Sequence, residues 1–267
     1  MIDNSPSMQS TTIAYSDNFI LTIGGVLNIY DDLTDLDCKS ILSTNKLRQI
    51  QFAKSFNVAD KTFGLINSYL LTADKSPTLS FTLNGYDAVN DLTCLSQLSN
   101  VKSLTVDMFK NNQLDKINQF TRLTKLGLGG SISIKPITEQ KDLEELFLFE
   151  KLKDIEAIGS MTNLKKITFS KITLKNLDFL TSLINLKELH FILGSATNYD
   201  KLPEIGKIEK LSFTWVRQLK VENLLPINKM KFLKVLKFDT QAHLTDLDWL
   251  TNKAIKTEVI NCKTYGQ

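Results

Sequence analysis

The sequence has few of the residues that most often carry chemistry. It contains 3 cysteines and 2 histidines in 267 residues. Cys38, Cys94 and Cys262 are far apart and odd in number, a pattern that fits neither a disulfide framework nor a zinc site. We therefore expect reduced thiols in a cytoplasmic protein.

Motifs for phosphate binding and for hydrolysis are also missing. The chain has no GxGxxG, GxxxxGK[ST] or GxSxG sequence. We interpret Gly127-Leu128-Gly129-Gly130 as a tight turn with little side-chain bulk. His190 and His243 are too few for a histidine-rich metal site, and no motif pairs them with a nucleophile. The sequence predicts no enzyme, no catalytic residue, no metal and no cofactor.

Long apolar runs and a strong charge of either sign are absent as well. The net charge of +3, from 32 basic and 29 acidic residues, does not favour nucleic acid or membrane partners. No run approaches the roughly 20 apolar residues that span a bilayer. Residues 1–6 lack the basic start of a secretory signal. We expect no nucleic acid partner, no membrane association and a cytoplasmic location.

A six-residue phrase dominates the sequence, with apolar residues at its first, fourth and sixth positions. One copy is Leu164-Lys165-Lys166-Ile167-Thr168-Phe169, and the fourth position recurs at residues 104, 126, 146, 167, 189, 211 and 236. These steps lie in the roughly 20–29 residue range of leucine-rich repeats. The alternation within each copy is that of a strand, and stacked strands bury one shared apolar face.

The segments between copies carry apolar residues at every third position. This spacing favours 3₁₀ turns over a sustained α-helix. One long amphipathic helix is the alternative, but the strand-like phrase interrupts it in every repeat. The predicted fold is an α/β repeat solenoid, a leucine-rich repeat horseshoe with a concave parallel β-sheet and a convex side of 3₁₀ turns and short helices. An unbroken example of the spacing is Leu174, Leu177, Leu180, Leu183 and Leu186.

Two return segments resemble those of the bacterial internalin-like class of leucine-rich repeat proteins. They are Leu177-Asp178-Phe179-Leu180-Thr181-Ser182-Leu183 and Leu247-Asp248-Trp249-Leu250, and the resemblance covers roughly residues 79–260. That class usually has asparagine at the ninth position, where its amide forms a ladder. The backbone groups that such a ladder would satisfy must find other partners here. The ninth positions are Ser131, Lys151, Ile172 and Gly194.

We predict a single solenoid over residues 1–267. Residues 1–44 form an N-terminal capping region, 45–100 irregular repeats, 101–255 regular repeats, and 256–267 a C-terminal strand and tail. Length alone would allow two domains, but a continuous repeat favours one. Residues 1–16 are expected to be loosely held.

Two strand-like runs flank Gly24-Gly25 and predict a hairpin. The alternative is that residues 26–30 are already the first repeat strand, and either arrangement covers the open end of the core. In the irregular repeats, we place Ile50 and Phe81 at fourth positions. Between them we expect a helix from Lys61 to about Thr72, capped by Asp60; a separate small domain is the alternative. Its apolar face is Phe63, Ile66 and Leu70.

The outward-pointing positions of most repeats hold small or charged residues, but near the middle of the chain they hold large ones. Phe147 and Phe149 occupy the fifth and seventh positions of one phrase, and His190 and Ile192 occupy them two phrases later. Aromatic side chains on an exposed face are typical of binding hot spots. We therefore predict a partner-binding surface at these four residues. The alternative is that Phe149 and Ile192 fold over the sheet edge into the core.

Trp215, Glu145 and Lys166 complete the predicted partner-binding set. Trp215 follows a strand, so it is either a contact at the rim or a lid over the core edge. Glu145 and Lys166 lie on adjacent strands, where a self-compensating ladder of charges is the alternative. The same ladder would place Lys187 and Glu188 beside Glu209 and Lys210. Trp249 is expected to pack on the outer side of a return segment.

These features predict a non-enzymatic protein–protein interaction module that binds a protein partner on its concave face. From the family resemblance we expect an immunity protein that neutralises a toxin. The alternatives are a regulatory scaffold subunit of an enzyme, and a secreted effector or toxin exported without a cleavable signal. The sequence does not specify the oligomeric state.

Overall fold

The computed structural model describes residues 11–52, 59–73, 77–81, 96–107, 113–216, 219–241 and 247–262. Within these residues, the fold is a mostly parallel sheet of 13 strands with short helices in the connections. Contacts divide the chain into two compact units, residues 1–126 and 127–267. Cys94 and His243 lie outside the described residues. The single solenoid over the whole chain stays a prediction.

Positions three to seven of each regular phrase form the strand, which confirms the repeat prediction. The helices are α1 (Asp35–Ser43), α2 (Asp60–Leu65) and α3 (Val221–Leu224), and 3₁₀ turns fill the regular returns, as predicted. The strands are β1 (Thr12–Tyr15), β2 (Phe19–Thr22), β3 (Val26–Ile29), β4 (Gln49–Phe52), β5 (Thr78–Phe81), β6 (Ser103–Asp107), β7 (Lys125–Gly129), β8 (Glu145–Phe149), β9 (Lys166–Ser170), β10 (Thr173–Leu174), β11 (Glu188–Ile192), β12 (Ser195–Ala196), β13 (Lys210–Thr214), β14 (Val235–Asp239) and β15 (Lys256–Ile260).

The N-terminal unit begins with an antiparallel meander. β2 pairs with β3 across the predicted glycine turn, and β3 also pairs in parallel with β4, so both readings of residues 26–30 are correct. The expectation that residues 12–15 are loosely held is wrong. They form β1, which pairs with β2 through Ala14 and Leu21.

Helix α1 was not predicted, although its N-terminus carries a recognisable signal. Thr34 accepts a hydrogen bond from the Asp37 amide, and the Asp37 carboxylate accepts one from the Thr34 amide. This is the capping box of a Thr-x-x-Asp sequence. Asn18, from the loop before β2, donates a further bond of 2.9 Å to Asp37. The cap therefore ties α1 to the N-terminal strands.

Helix α2 confirms the predicted helix in the irregular repeats, with two corrections. Ala59, not Asp60, is the N-cap residue, and Asp60 instead accepts a 2.8 Å hydrogen bond from Gln97. The last turn, Ile66–Leu70, is π-helical. Phe63, Ile66 and Leu70 are buried, as predicted.

The fourth position of β5 is Leu79, not Phe81. Leu79 pairs with Ile50 on one side and with Leu104 on the other, and it is fully buried. The prediction was two residues out of register because α2 lengthens the preceding return, so counting from Ile50 no longer locates the strand.

The core of the C-terminal unit is built from two columns of side chains. The fourth positions from Leu146 to Leu236 are in register and at most 1% exposed. At the sixth positions, neighbouring phenylalanine rings have centroids 5.6–5.9 Å apart. Trp249 packs edge-on against the last of these rings at 6.5 Å and is buried. Its predicted place on the outer side is therefore wrong. The four stacked rings are Phe169, Phe191, Phe213 and Phe238.

From β7 onward, position eight of each repeat turns the chain out of its strand with a positive φ. Gly130 and Asn261 are residue types that tolerate this conformation, whereas Leu193 and Trp215 are not. A recurring bond offsets the strain, because the position-eight amide donates to the position-seven carbonyl of the next strand. These pairs are Glu150 to Ser170, Lys171 to Ile192, Leu193 to Thr214, Trp215 to Asp239 and Thr240 to Ile260.

Backbone pairing also replaces part of the missing asparagine ladder. β10 and β12 form a small parallel sheet next to the ninth positions, and the Ser195 amide donates to the Ile172 carbonyl at 3.0 Å. A Cβ at Gly194 would lie 2.1 Å from that carbonyl oxygen, so only glycine allows this approach. The prediction that these backbone groups find other partners is confirmed around Ile172 and Gly194.

Candidate partner-binding face

We use "outward face" for the side chains at positions three, five and seven of β8, β9, β11, β13 and β14. The strand register places Phe147, Thr168, His190 and Ser212 in one row across this face. Phe149, Ser170, Ile192 and Thr214 form the parallel row. The predicted alignment of Phe147 with His190 and of Phe149 with Ile192, two strands apart, is therefore confirmed.

Phe147 projects from the sheet into solvent. It is 39% exposed, whereas Leu146 and Leu148 on either side of it are at most 1% exposed. Its ring packs against that of Phe149, with centroids 5.6 Å apart and a tilt of 48°. This contact holds Phe147 in place without removing it from water.

Phe149 lies over the neighbouring strand and not over the sheet edge. A Cβ placed on Gly129 would lie 2.0 Å from the Phe149 ring, so the glycine leaves the space that the ring fills. Gly130, with a φ of +104°, forms the tight turn that the glycine-rich sequence predicted. The role of Gly129 under an aromatic ring was missed, because it depends on a side chain one repeat away.

We expect the Gly129→Ala variant to be less stable than the wild type by about 1–3 kcal/mol, since the added methyl overlaps the Phe149 ring. Urea unfolding of both proteins measures the difference. The double variant with Phe149→Ala should recover most of the loss, because the ring is then gone. A double variant no more stable than Gly129→Ala would show that the ring does not cause the strain.

His190 is held between two polar partners on the outward face. Its Nε2 lies 3.0 Å from Glu188 Oε2, and its Nδ1 is hydrogen-bonded to the hydroxyl of Ser212. The side chain is only 13% exposed. Burial lowers the pKa of His190 below 6.5, while the hydrogen bond and charge of Glu188 act in the opposite direction. Glu188 faces His190 and lies beside Lys210 in the strand register, as predicted, and Lys187 Nζ lies 3.8 Å from Glu209 Oε1.

Hydrogen bonds join Ser212 to His190 and His190 to Glu188, in the order of the residues of a hydrolytic triad. The surroundings of these three residues do not suit catalysis. Ser212 is 5% exposed, so substrate cannot reach its oxygen. The strand that carries it pairs on both sides, with β11 and with β14. The amides around Ser212 are therefore not free to stabilise an oxyanion.

The charged residues of the predicted site pair with one another. Lys166 lies 3.9 Å from Glu145 and 4.0 Å from Glu188, with side chains 35–40% exposed. At position two, Lys165 and Glu144 are 2.5 Å apart. Exposed pairs of this kind contribute roughly 0.2–1 kcal/mol. The predicted ladder of compensating charges is therefore present. Glu145 and Lys166 add little net charge beside Phe147 and Phe149.

Trp215 lies at the rim and is not a lid. Its side chain is 53% exposed, and its left-handed backbone directs it away from the strand. Three strand spacings, about 14 Å, separate the strand of Phe147 from that of Trp215. Ile192 is half-buried in the row of Phe149. The structure thus brings Phe147 and Phe149 into contact, places Lys166 and His190 on the next two strands of the sheet, and leaves Trp215 apart.

Within the residues that the structure describes, no three histidine, cysteine or acidic side chains come together as metal ligands. None of the helices in the same ranges has the length and apolar composition needed to cross a membrane.

Comparison with known proteins finds likeness in fold. No protein-family model matches the chain, and neither does any curated protein. An internalin from Listeria monocytogenes superposes with a TM-score of 0.51 and 15% identity, over 97% of this chain and 74% of that one. A leucine-rich repeat protein of Leptospira interrogans gives 0.45 and 17%, over 87% of this chain and 53% of that one. The chain therefore has the leucine-rich repeat fold of an internalin-like protein, as its repeats predicted.

Proposed function

We propose that this chain is a non-enzymatic protein-binding module whose outward face grips a folded protein partner. The proposal rests on the exposure of Phe147, a large aromatic side chain that is 39% exposed on an ordered strand. Exposure of such a group does not stabilise the folded chain, and aromatic anchors of this kind dominate the energy of protein interfaces.

The surroundings of Phe147 support a protein partner over a nucleic acid. Lys166 is paired with both Glu145 and Glu188, so the lysine does not present an uncompensated positive charge to phosphates. An aromatic centre with a rim of polar and charged groups is the usual composition of a protein interface. The occupant that fits is a protein surface with an apolar pocket for Phe147.

The test uses matched variants as baits. We expect a partner retained by the wild type to be lost or weakened with Phe147→Ala, by more than about 1 kcal/mol in calorimetric titration of the purified partner. Phe232→Ala is the control, because Phe232 is 50% exposed in the turn before β14, outside the outward face. It should bind as the wild type does.

Circular dichroism melting of the same variants separates binding from folding. Phe147→Ala should melt close to the wild type, since its ring is not part of the core. Wild-type affinity of this variant would remove Phe147 from the site. A large fall in the melting temperature of this variant would show that the Phe147 ring stabilises the fold instead.

The more specific proposal is that the partner is a toxin, which this chain neutralises in the cytoplasm as an immunity protein. It rests on the family resemblance of the repeats. Co-expression with the captured partner tests it: growth rescued by the wild type and not by Phe147→Ala supports neutralisation. A captured enzyme whose activity this chain regulates would favour the scaffold subunit instead, and toxicity of this chain itself would favour the effector.

A further inference from the structure

The hydrogen bonds of His190 define which tautomer its neutral ring adopts. The Glu188 carboxylate only accepts, so Nε2 carries the proton and donates to it. Nδ1 is then the acceptor for the hydroxyl of Ser212. The neutral ring thus links β11 to β13 with both nitrogens satisfied. Thr168, its neighbour on β9, carries no titratable group.

A second proton on this ring would disturb several neighbours at once. Nδ1 would become a donor, so the hydroxyl of buried Ser212 would have to turn and lose its acceptor. The positive ring would lie between Lys166 of β9 and Lys210 of β13, both of which oppose its charge. It would also compete with Lys166 for Glu188, which now lies 4.0 Å from the lysine and 3.0 Å from the ring.

We propose that His190 makes partner binding by the outward face depend on pH. The neutral ring keeps the face ordered for its partner, and protonation in mildly acidic solution weakens binding. This rests on the proposed function, because His190 lies two strands from Phe147 in the same row. A partner that covers this row removes water from the ring. Burying the neutral ring then costs less than burying an imidazolium, because desolvation opposes the charged ring together with Lys166 and Lys210 and outweighs the attraction of Glu188.

The same geometry determines how folding stability depends on pH. The pKa of His190 is lower in the folded chain than its ordinary value of 6.5, so the unfolded chain binds the proton more readily. The contribution of His190 is therefore fully present above pH 6.5 and is lost as the pH falls toward the lower, folded-state value. Acid should destabilise the wild type through this residue.

The first experiment uses the full chain alone. An NMR titration of the two histidine rings, with His190→Gln to assign them, should give His190 a midpoint below 6.5. Urea unfolding at pH 7.5 and 5.5 should show a larger loss of stability for the wild type than for His190→Gln. A midpoint at or above 6.5, or the same loss in both proteins, would overturn the proposal.

The second experiment titrates the protein captured by the wild-type bait against wild type and His190→Gln. Wild-type affinity should fall by up to about tenfold per pH unit below the midpoint, as for one linked proton. For the same partner, the affinity of the His190→Gln variant should depend less on pH. Comparing the two variants removes the contribution of groups that titrate on the partner. If both proteins showed the same pH dependence while Phe147→Ala still weakened binding, this inference alone would be overturned. If Phe147→Ala bound as the wild type does, the proposed function would be overturned instead.

Discussion

Replacing Phe191 with alanine should destabilise the C-terminal unit by about 3–5 kcal/mol, the usual cost of removing a buried aromatic ring. The Phe191 ring is fully buried and stacks between Phe169 and Phe213 at 5.9 and 5.6 Å. Tyr199 packs edge-on against it at 5.7 Å. One substitution therefore removes three aromatic contacts and leaves a cavity that rigid neighbouring rings cannot fill.

The Tyr199 ring shows how closed this part of the core is. Burial raises the pKa of its phenol to about 12, and its oxygen accepts a 2.9 Å hydrogen bond from the Ala196 amide. Because Tyr199 is fixed by that bond, we do not expect it to move into the space left by Phe191. Relaxation should therefore recover little of the lost energy.

Urea unfolding followed by circular dichroism measures the loss, with Ile184→Ala as the matched control. Ile184 is 64% exposed in the turn before β11, so its truncation should stay within about 0.5 kcal/mol of the wild type. If Phe191→Ala cost no more than this control, the aromatic column would not be the core of the unit.

The repeat pattern was sufficient to predict the regular strands and their register. Each phrase alternates inward and outward positions, so Leu146, Ile167 and Leu189 had to align if the strands stacked at all. Where a return changes length, the repeat spacing no longer gives the register, as at Leu79. There the register depends on how α2 packs, which the spacing does not contain.

The composition of the outward face could be predicted, but its contacts could not. Phe147 was correctly expected to point into water, because its two neighbours are core leucines. The half-burial of His190 depends on the small side chains of Thr168 and Ser212 on both neighbouring strands. In the same way, the Phe149 ring occupies its place over β7 because Gly129 has no Cβ. Such pairings join repeats about 20 residues apart and have no local signal.

Deleting residues 1–31 should make the protein aggregate. The deletion removes β1, β2 and β3, and with them Phe19, Leu21 and Leu27, each at most 1% exposed. Burial of each such side chain contributes about 1.5–3 kcal/mol. The loss of β3 also frees the backbone edge of β4, with the buried Ile50 beside it. An exposed edge next to apolar surface is a template for pairing between chains.

The same deletion weakens α1, because Asn18 donates to the Asp37 carboxylate of the capping box. Size-exclusion chromatography with light scattering should therefore show oligomers, and the melting curve should broaden or shift down. Tyr15→Ser is the control, since this side chain of β1 is 77% exposed and its loss uncovers no core. A truncated chain that keeps the oligomeric state and the melting curve of the wild type would show that the meander does not cap the N-terminal unit.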